Sequence, residues 1–227
     1  MSVSDDLGAL VAPLNHQLFQ AGQDAVTWSE LLGFGTGAVC VWLCVRASVW
    51  NFPVGIANNL FFLVLFWSAR LYADAALQIV YLVLAGYGWL MWLRGGERRS
   101  RLGMGHASRT SLLVLAGAVV LATWGLTVLL TRAHDVAPFW DALTTALSLA
   151  AQWLLNAKRI ENWWFWIAAD LVYIPLYFVK ALNLTAVVYT LFLAMCLAGW
   201  RSWRRDMASA AAGTSDGEAL PDRTVTA

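Results

Sequence analysis

Asn162 to Lys180 reads NWWFWIAADLVYIPLYFVK. The stretch is apolar and long enough to cross a bilayer, and Lys158, Arg159 and Lys180 flank it. Trp163, Trp166, Asp170, Tyr173 and Tyr177 follow at spacings of 3, 4, 3 and 4, which in a helix puts all five on one face. An ionised carboxylate at mid-span costs roughly 2.5–3.5 kcal/mol even on a permissive insertion scale, so Asp170 faces the interior of a bundle. An aromatic stripe around one carboxylate suits a flat, polar, partly aromatic ligand better than lipid. The plainer alternative is a structural hydrogen-bond knot at Asp170 with an interfacial aromatic belt, and the belt reading fits Trp164, which points off this face.

The rest of the chain fits a membrane setting. Of its 227 residues, 60% are hydrophobic and 13% charged, against ~45–50% apolar and ~25% charged in soluble domains. Seven apolar spans are predicted at about 28–46, 51–68, 72–93, 110–132, 139–156, 161–179 and 183–200. Residues 1–27 include Leu7, Leu10, Val11, Leu14 and Leu18 at helical spacing, which suggests a short interfacial helix. With no Lys or Arg before Arg46, this end does not read as a signal peptide. The connection 94–109 is polar and Arg-rich, and the tail 201–227 is expected to be disordered.

Basic residues set the orientation. In a seven-span arrangement twelve of them fall on one side: Arg46, Arg94, Arg98, Arg99, Arg101, Arg109, Lys158, Arg159, Arg201, Arg204, Arg205 and Arg223. Three, Arg70, Arg132 and Lys180, fall on the other. The first side is therefore expected to be cytoplasmic, with the N-terminus outside and the C-terminus inside.

A shift of 111 residues superimposes one part of the chain on another: Asn51 on Asn162, Asn59 on Asp170, Leu71 on Leu182, Gly88 on Gly199 and Trp89 on Trp200. Residues 28–93 then correspond to 139–200, and the span 110–132 is left over as a linker. An odd linker helix gives both halves the same orientation. The expected fold is an all-α membrane protein made of two parallel three-helix repeats around a linker helix. Carriers of that plan bind substrate near the midplane between the halves.

Other spans add polar side chains to this expected site. Asp74, Gln78 and Tyr81 share one face of span 3, Gln152 and Asn156 lie one turn apart on span 5, and Tyr189 is the repeat mate of Gln78. Amides supply donor and acceptor together, as a carboxamide or a sugar requires. Asn59 has the depth of Asp170, although its amide also suits a structural partner. Pro53 and Pro175 interrupt spans 2 and 6, where kinks or hinges are open alternatives.

Several chemistries are excluded. Lys158 and Lys180 are the chain's two lysines, neither lies in a Gly-Lys-Ser/Thr phosphate loop, and no HExxH or GxSxG occurs. Span 7 has no lysine to hold retinal. His16, His106 and His134 lie outside the spans, and Cys40, Cys44 and Cys196 read as small apolar side chains without metal-site spacing. No enzyme activity, cofactor, metal or nucleic acid is expected.

The stretches WNFPVGIANNLFFLVLFWSARLYADAALQIVYLVLAGYGW and AQWLLNAKRIENWWFWIAADLVYIPLYFVKALNLTAVVYTLFLAMCLAGWRSW resemble the PnuC family of vitamin transporters. The likeness spans about residues 28–205 and rests on LYADAxLQ followed by YGW, and on ENWxxW followed four residues later by Asn or Asp, here Glu161, Asn162, Trp163, Trp166 and Asp170. The resemblance implies a nicotinamide riboside transporter of SWEET-like 3+1+3 plan in a bacterial inner membrane. It further implies a homotrimer, facilitated diffusion, and trapping of the substrate by a cytoplasmic nucleoside kinase. It places Trp163, Trp166, Asp170 and Gln78 at the substrate, with Tyr173, Tyr189, Gln152, Asn59, Tyr81 and Tyr177 as further candidates. Thiamine and riboflavin are the alternative substrates of the same fold, and a membrane-embedded vitamin sensor or assembly subunit is the alternative of another class.

Overall fold

A computed structural model describes residues 12–21, 24–68, 72–96 and 102–218. Leu7, Leu10, Val11, Arg70, Leu71, Arg98, Arg99, Arg101 and Arg223, used in the readings above, lie outside the described residues. Seven helices carry the fold: α1 (Trp28–Val45), α2 (Asn51–Ser68), α3 (Tyr72–Arg94), α4 (Arg109–Arg132), α5 (Pro138–Asn156), α6 (Asn162–Val179) and α7 (Asn183–Glu218). Through 200 their ends lie within two residues of the spans read from sequence. Five of them, α1, α2, α3, α4 and α7, are long and apolar enough to cross a membrane. The other two, α5 and α6, carry the densest polar and aromatic content, including Gln152, Asn156, Asp170 and the Trp–Tyr stripe.

Local chemistry starts and stops these helices. Thr27 and Glu30 form a reciprocal capping box at the start of α1. The Ser108 hydroxyl accepts from the Ser111 N–H at the start of α4, and Pro138 opens α5. Pro53 sits in the first turn of α2, where its missing N–H costs no helical hydrogen bond. Pro175 lies inside α6.

Two terminal expectations change. Ala12–Asn15 is a single 3₁₀ turn, and β1 (Gln17–Ala21) pairs antiparallel with β2 (Asp24–Thr27), where an interfacial helix was expected. The hairpin buries Val26, and β-branched Val26 and Thr27 favour extended backbone. At the other end α7 continues to Glu218 in place of a disordered tail after Arg205. Ala208, Ala210, Ala211 and Ala212 are the strongest of helix formers.

The helices pack α1 on α2, α2 on α3, α4 on α5, α5 on α6 and α6 on α7, with α1 on α7 and α3 on α5 joining the two groups. Leu113, Val114, Leu121 and Trp124 leave α4 with a broad exposed apolar face, which a bilayer would cover. The densest core lies where α1, α3 and α5 end and α2 and α6 begin, around Phe52, Trp92, Leu155, Ile160, Trp163 and Trp203.

Residues 111 apart make matching interactions there. Ala47 and Lys158 both adopt left-handed backbone, at φ 47° and 54°. Asn51 Nδ2 donates to Ser48 O, and Asn162 Nδ2 to Arg159 O, both at 2.6 Å. Phe52 meets Trp92 edge-on with centroids 5.1 Å apart, and Trp163 meets Trp203 edge-on at 5.6 Å. Trp92 Nε1 donates to Leu155 O and Trp203 Nε1 to Cys44 O, both at 3.0 Å, so each indole reaches into the other group of helices.

Gly88 and Gly199 permit this packing. A Cβ on Gly88 would collide with Phe52 and Asn156, and one on Gly199 with the Trp163 ring. Gly86 has open space around the same position. Gly88→Ala and Gly199→Ala are each expected to lower stability by about 1–3 kcal/mol through overpacking, with Gly86→Ala neutral. Thermal unfolding of the three variants in detergent checks this.

Candidate functional site

A cavity of about 370 Å³ lies among α1, α2, α3, α5, α6 and α7. Helix α6 supplies Trp163, Trp166, Asp170 and Tyr173; α3 supplies Gln78 and Tyr81; and Asn59, Gln152 and Tyr189 come from α2, α5 and α7. Nine of the ten candidate residues thus share one cavity. The tenth, Tyr177, stands one turn beyond Tyr173 and is not part of the lining. Its ring stacks on Tyr173 at 5.5 Å and leans on Tyr189 at 5.0 Å. The 3–4 spacing puts Tyr177 on the right face but beyond the end of the cavity.

The lining side chains differ in how far they are committed to the protein. Asp170 is 4% exposed, and the Cys196 thiol stands 3.5 Å from its Oδ2 as donor. Gln152 Nε2 donates to Asn156 Oδ1 at 2.9 Å, and Asn156 Nδ2 donates to Leu84 O at 2.8 Å, so this amide pair also ties α5 to α3. Trp166 is part-buried. Trp163 is 1% exposed, seated on Gly199 and edge-on to Trp203, and its Nε1 is buried without a hydrogen-bond partner. The expected pair of indole faces flanking a ligand ring is therefore not presented: Trp163 forms part of the cavity wall, and Trp166 is the indole that a ligand can reach. Trp164 is half-exposed and packs on Trp200, away from the cavity.

Other lining residues were not singled out from sequence. Ser148 lies one turn before Gln152, and Phe62 is the 111-residue counterpart of Tyr173; helical spacing and the repeat could have found both. Cys40, Cys44 and Cys196 all line the cavity, whereas composition alone suggested inert packing. Neighbouring Asn58 lines it too, but its Nδ2 donates to Gly33 O and Thr36 Oγ1, which gives it a structural role between α1 and α2. Among the described residues no cluster of three His, Cys, Asp or Glu side chains could hold a metal.

Turns seal the end of the molecule below Trp163. Glu161 accepts from the Ala107 N–H and from His106 Nδ1, at 2.9 and 2.8 Å. Gly105 and Ile160 exchange backbone hydrogen bonds around Arg159, and Lys158 Nζ sits 4.5 Å from the Trp92 ring centroid. At the far end Lys180 pairs with Asp141 at 2.9 Å.

The family model described as nicotinamide mononucleotide transporter matches residues 27–205. The chain belongs to this transporter family. Nicotinamide riboside transporter PnuC of Escherichia coli is 24% identical over 216 residues, covering 84% of this chain and 90% of that protein. Riboflavin/roseoflavin transporter RibM of Streptomyces davaonensis is 26% identical over 201 residues, covering 85% and 94%. A crystal structure of the vitamin B3 transporter PnuC matches with a TM-score of 0.63 at 20% identity, over 78% of this chain and 81% of that one, and shares its fold. The protein is therefore a PnuC-type vitamin transporter of the membrane and not an enzyme.

In a PnuC-type cavity the Gln152–Asn156 pair both shapes the wall and holds two helices together. Asn156→Ala should cost about 1–3 kcal/mol by leaving buried polar partners unmet, and thermal unfolding of the ligand-free protein reads that loss directly.

Proposed function

We propose that the protein takes up nicotinamide riboside by facilitated diffusion through this cavity. The observation that carries the reading is Asp170, a carboxylate buried in the wall beside reachable Trp166 and the amides Gln78 and Gln152. Nicotinamide riboside pairs a cationic pyridinium ring with a carboxamide and a ribose. A carboxylate in a dry site attracts that cation, an indole face stacks on the ring and gains from its charge, and the amides match the carboxamide and hydroxyls. Tyr173 and Tyr189 offer further hydroxyls, while Asn59 and Tyr81 complete the wall.

The transport cycle follows from a two-repeat plan. In this reading α1–α3 and α5–α7 are parallel three-helix repeats and α4 is the linker, which the matching interactions 111 residues apart support. The two repeats rock about the midplane site and expose it to each side in turn. The chain sits in the bacterial inner membrane as a homotrimer with the N-terminus outside and the C-terminus in the cytoplasm. A cytoplasmic nucleoside kinase makes uptake net inward by trapping the product.

Riboflavin is the second reading, favoured by the similarity to RibM; it is neutral and gains nothing from a carboxylate. Thiamine is a cation and fits the charge argument. Parallel calorimetric titrations with the three vitamins separate them. Saturable binding of nicotinamide riboside alone is expected, and binding of riboflavin alone sinks the proposal. Counterflow in liposomes distinguishes a carrier from a vitamin sensor, which binds without flux.

Asp170→Ala and Trp166→Ala should each weaken nicotinamide riboside binding by about 1–3 kcal/mol. Trp164→Ala should leave it unchanged. Wild-type affinity in folded Asp170→Ala protein would remove the carboxylate from the site. Uptake is expected to be indifferent to a proton uncoupler while the trapping step is kept supplied.

A further inference from the structure

Below the cavity lies a continuous row of four rings. Phe52 meets Trp92 at 5.1 Å, Trp92 meets Trp203 at 6.0 Å, and Trp203 meets Trp163 at 5.6 Å between centroids. The outer members, Phe52 and Trp163, line the cavity, and the inner two do not. All four are buried, from 0 to 3% exposed. The row is symmetric in sequence: Phe52 and Trp163 are 111 residues apart, as are Trp92 and Trp203. The two halves of the row therefore meet where Trp92 touches Trp203.

Both inner rings are fastened across the division between helix groups. The Trp92 indole of α3 donates to Leu155 O near the end of α5, and the Trp203 indole of α7 to Cys44 O near the end of α1. Carbonyls in a helix's last turn lack intrahelical partners, and a buried indole N–H needs an acceptor. Each bond meets both needs, and neither survives if the groups move apart at this end. On the other side of the row Leu102 and Met104 pack against the same cluster, and the Leu102 N–H donates to Trp92 O.

We infer that Phe52, Trp92, Trp163 and Trp203 are the gate closing the transport cavity at the end where α1, α3 and α5 terminate, and that the two indole–carbonyl hydrogen bonds latch it. The gate rests on the carrier reading above, and the orientation proposed there makes it the inner gate. Release through this end requires Trp92 and Trp203 to part and both hydrogen bonds to break.

The chain carries its own reporters for a test. Its three cysteines, Cys40, Cys44 and Cys196, are free and all line the cavity. A membrane-impermeant thiol reagent applied to right-side-out and inside-out vesicles measures access from each face without ligand. Trp92→Phe/Trp203→Phe keeps the rings and removes both donors. Labelling from the gated face should rise at least about tenfold, as expected for two lost hydrogen bonds that favour the closed state, and labelling from the opposite face should not rise. Trp203→Phe alone should give about fivefold, and it carries the test if the double variant does not fold. No change in a folded variant, or an equal rise from both faces, overturns the gate. A C-terminal tag identifies the faces independently. A gate found on the outside would refute the orientation and leave the gate standing, and a wrong substrate assignment would not alter the labelling.

Discussion

An indole N–H inside a membrane protein has no water to bond to, and a helix's last carbonyls are in the same position. Trp92 and Trp203 resolve both shortages at once by donating to Leu155 and Cys44. Much else follows from those two bonds. They bring α3 to α5 and α7 to α1. They fix the rings against which Phe52 and Trp163 stand, and those rings require glycine at 88 and 199. The floor of the cavity is the upper surface of this arrangement.

The sequence made the outline legible because bilayer and charge write clear marks. Loops rich in arginine separate the spans, and polar residues at 3–4 spacing identify the faces turned inward. Cavity wall and close-packed core share that spacing, however. Trp163 and Trp166 are one turn apart on one face, yet one is buried against Gly199 and the other borders open space. Tyr177 obeys the same rule and falls past the cavity's end. Trp92 and Trp203 carry no sequence mark that separates a hydrogen-bonded gate residue from an interfacial tryptophan. The N-terminal hairpin and the continuation of α7 depend on weak local preferences, which periodicity over a few residues does not resolve.

The two groups of helices match in backbone and differ in chemistry. Phe62 and Phe66 stack as Tyr173 and Tyr177 do, both pairs at 5.5 Å, but only the second pair carries hydroxyls. Asn59 faces its counterpart in kind as a neutral amide where Asp170 is a carboxylate, and Gln78 stands where the other group has Tyr189. The packing scaffold tolerated little divergence, while the cavity wall diverged freely.

That divergence has a consequence for how a ligand lies. A container made from two equal halves would offer a flat guest two poses related by half a turn, with nothing to choose between them. A single carboxylate on one wall, with hydroxyl-bearing rings above it and plain phenyl rings opposite, removes the tie. The guest then arrives and departs with its charged end always toward the same half of the protein. A matched framework has thereby become a handed receptacle, with direction written into side chains rather than into the backbone.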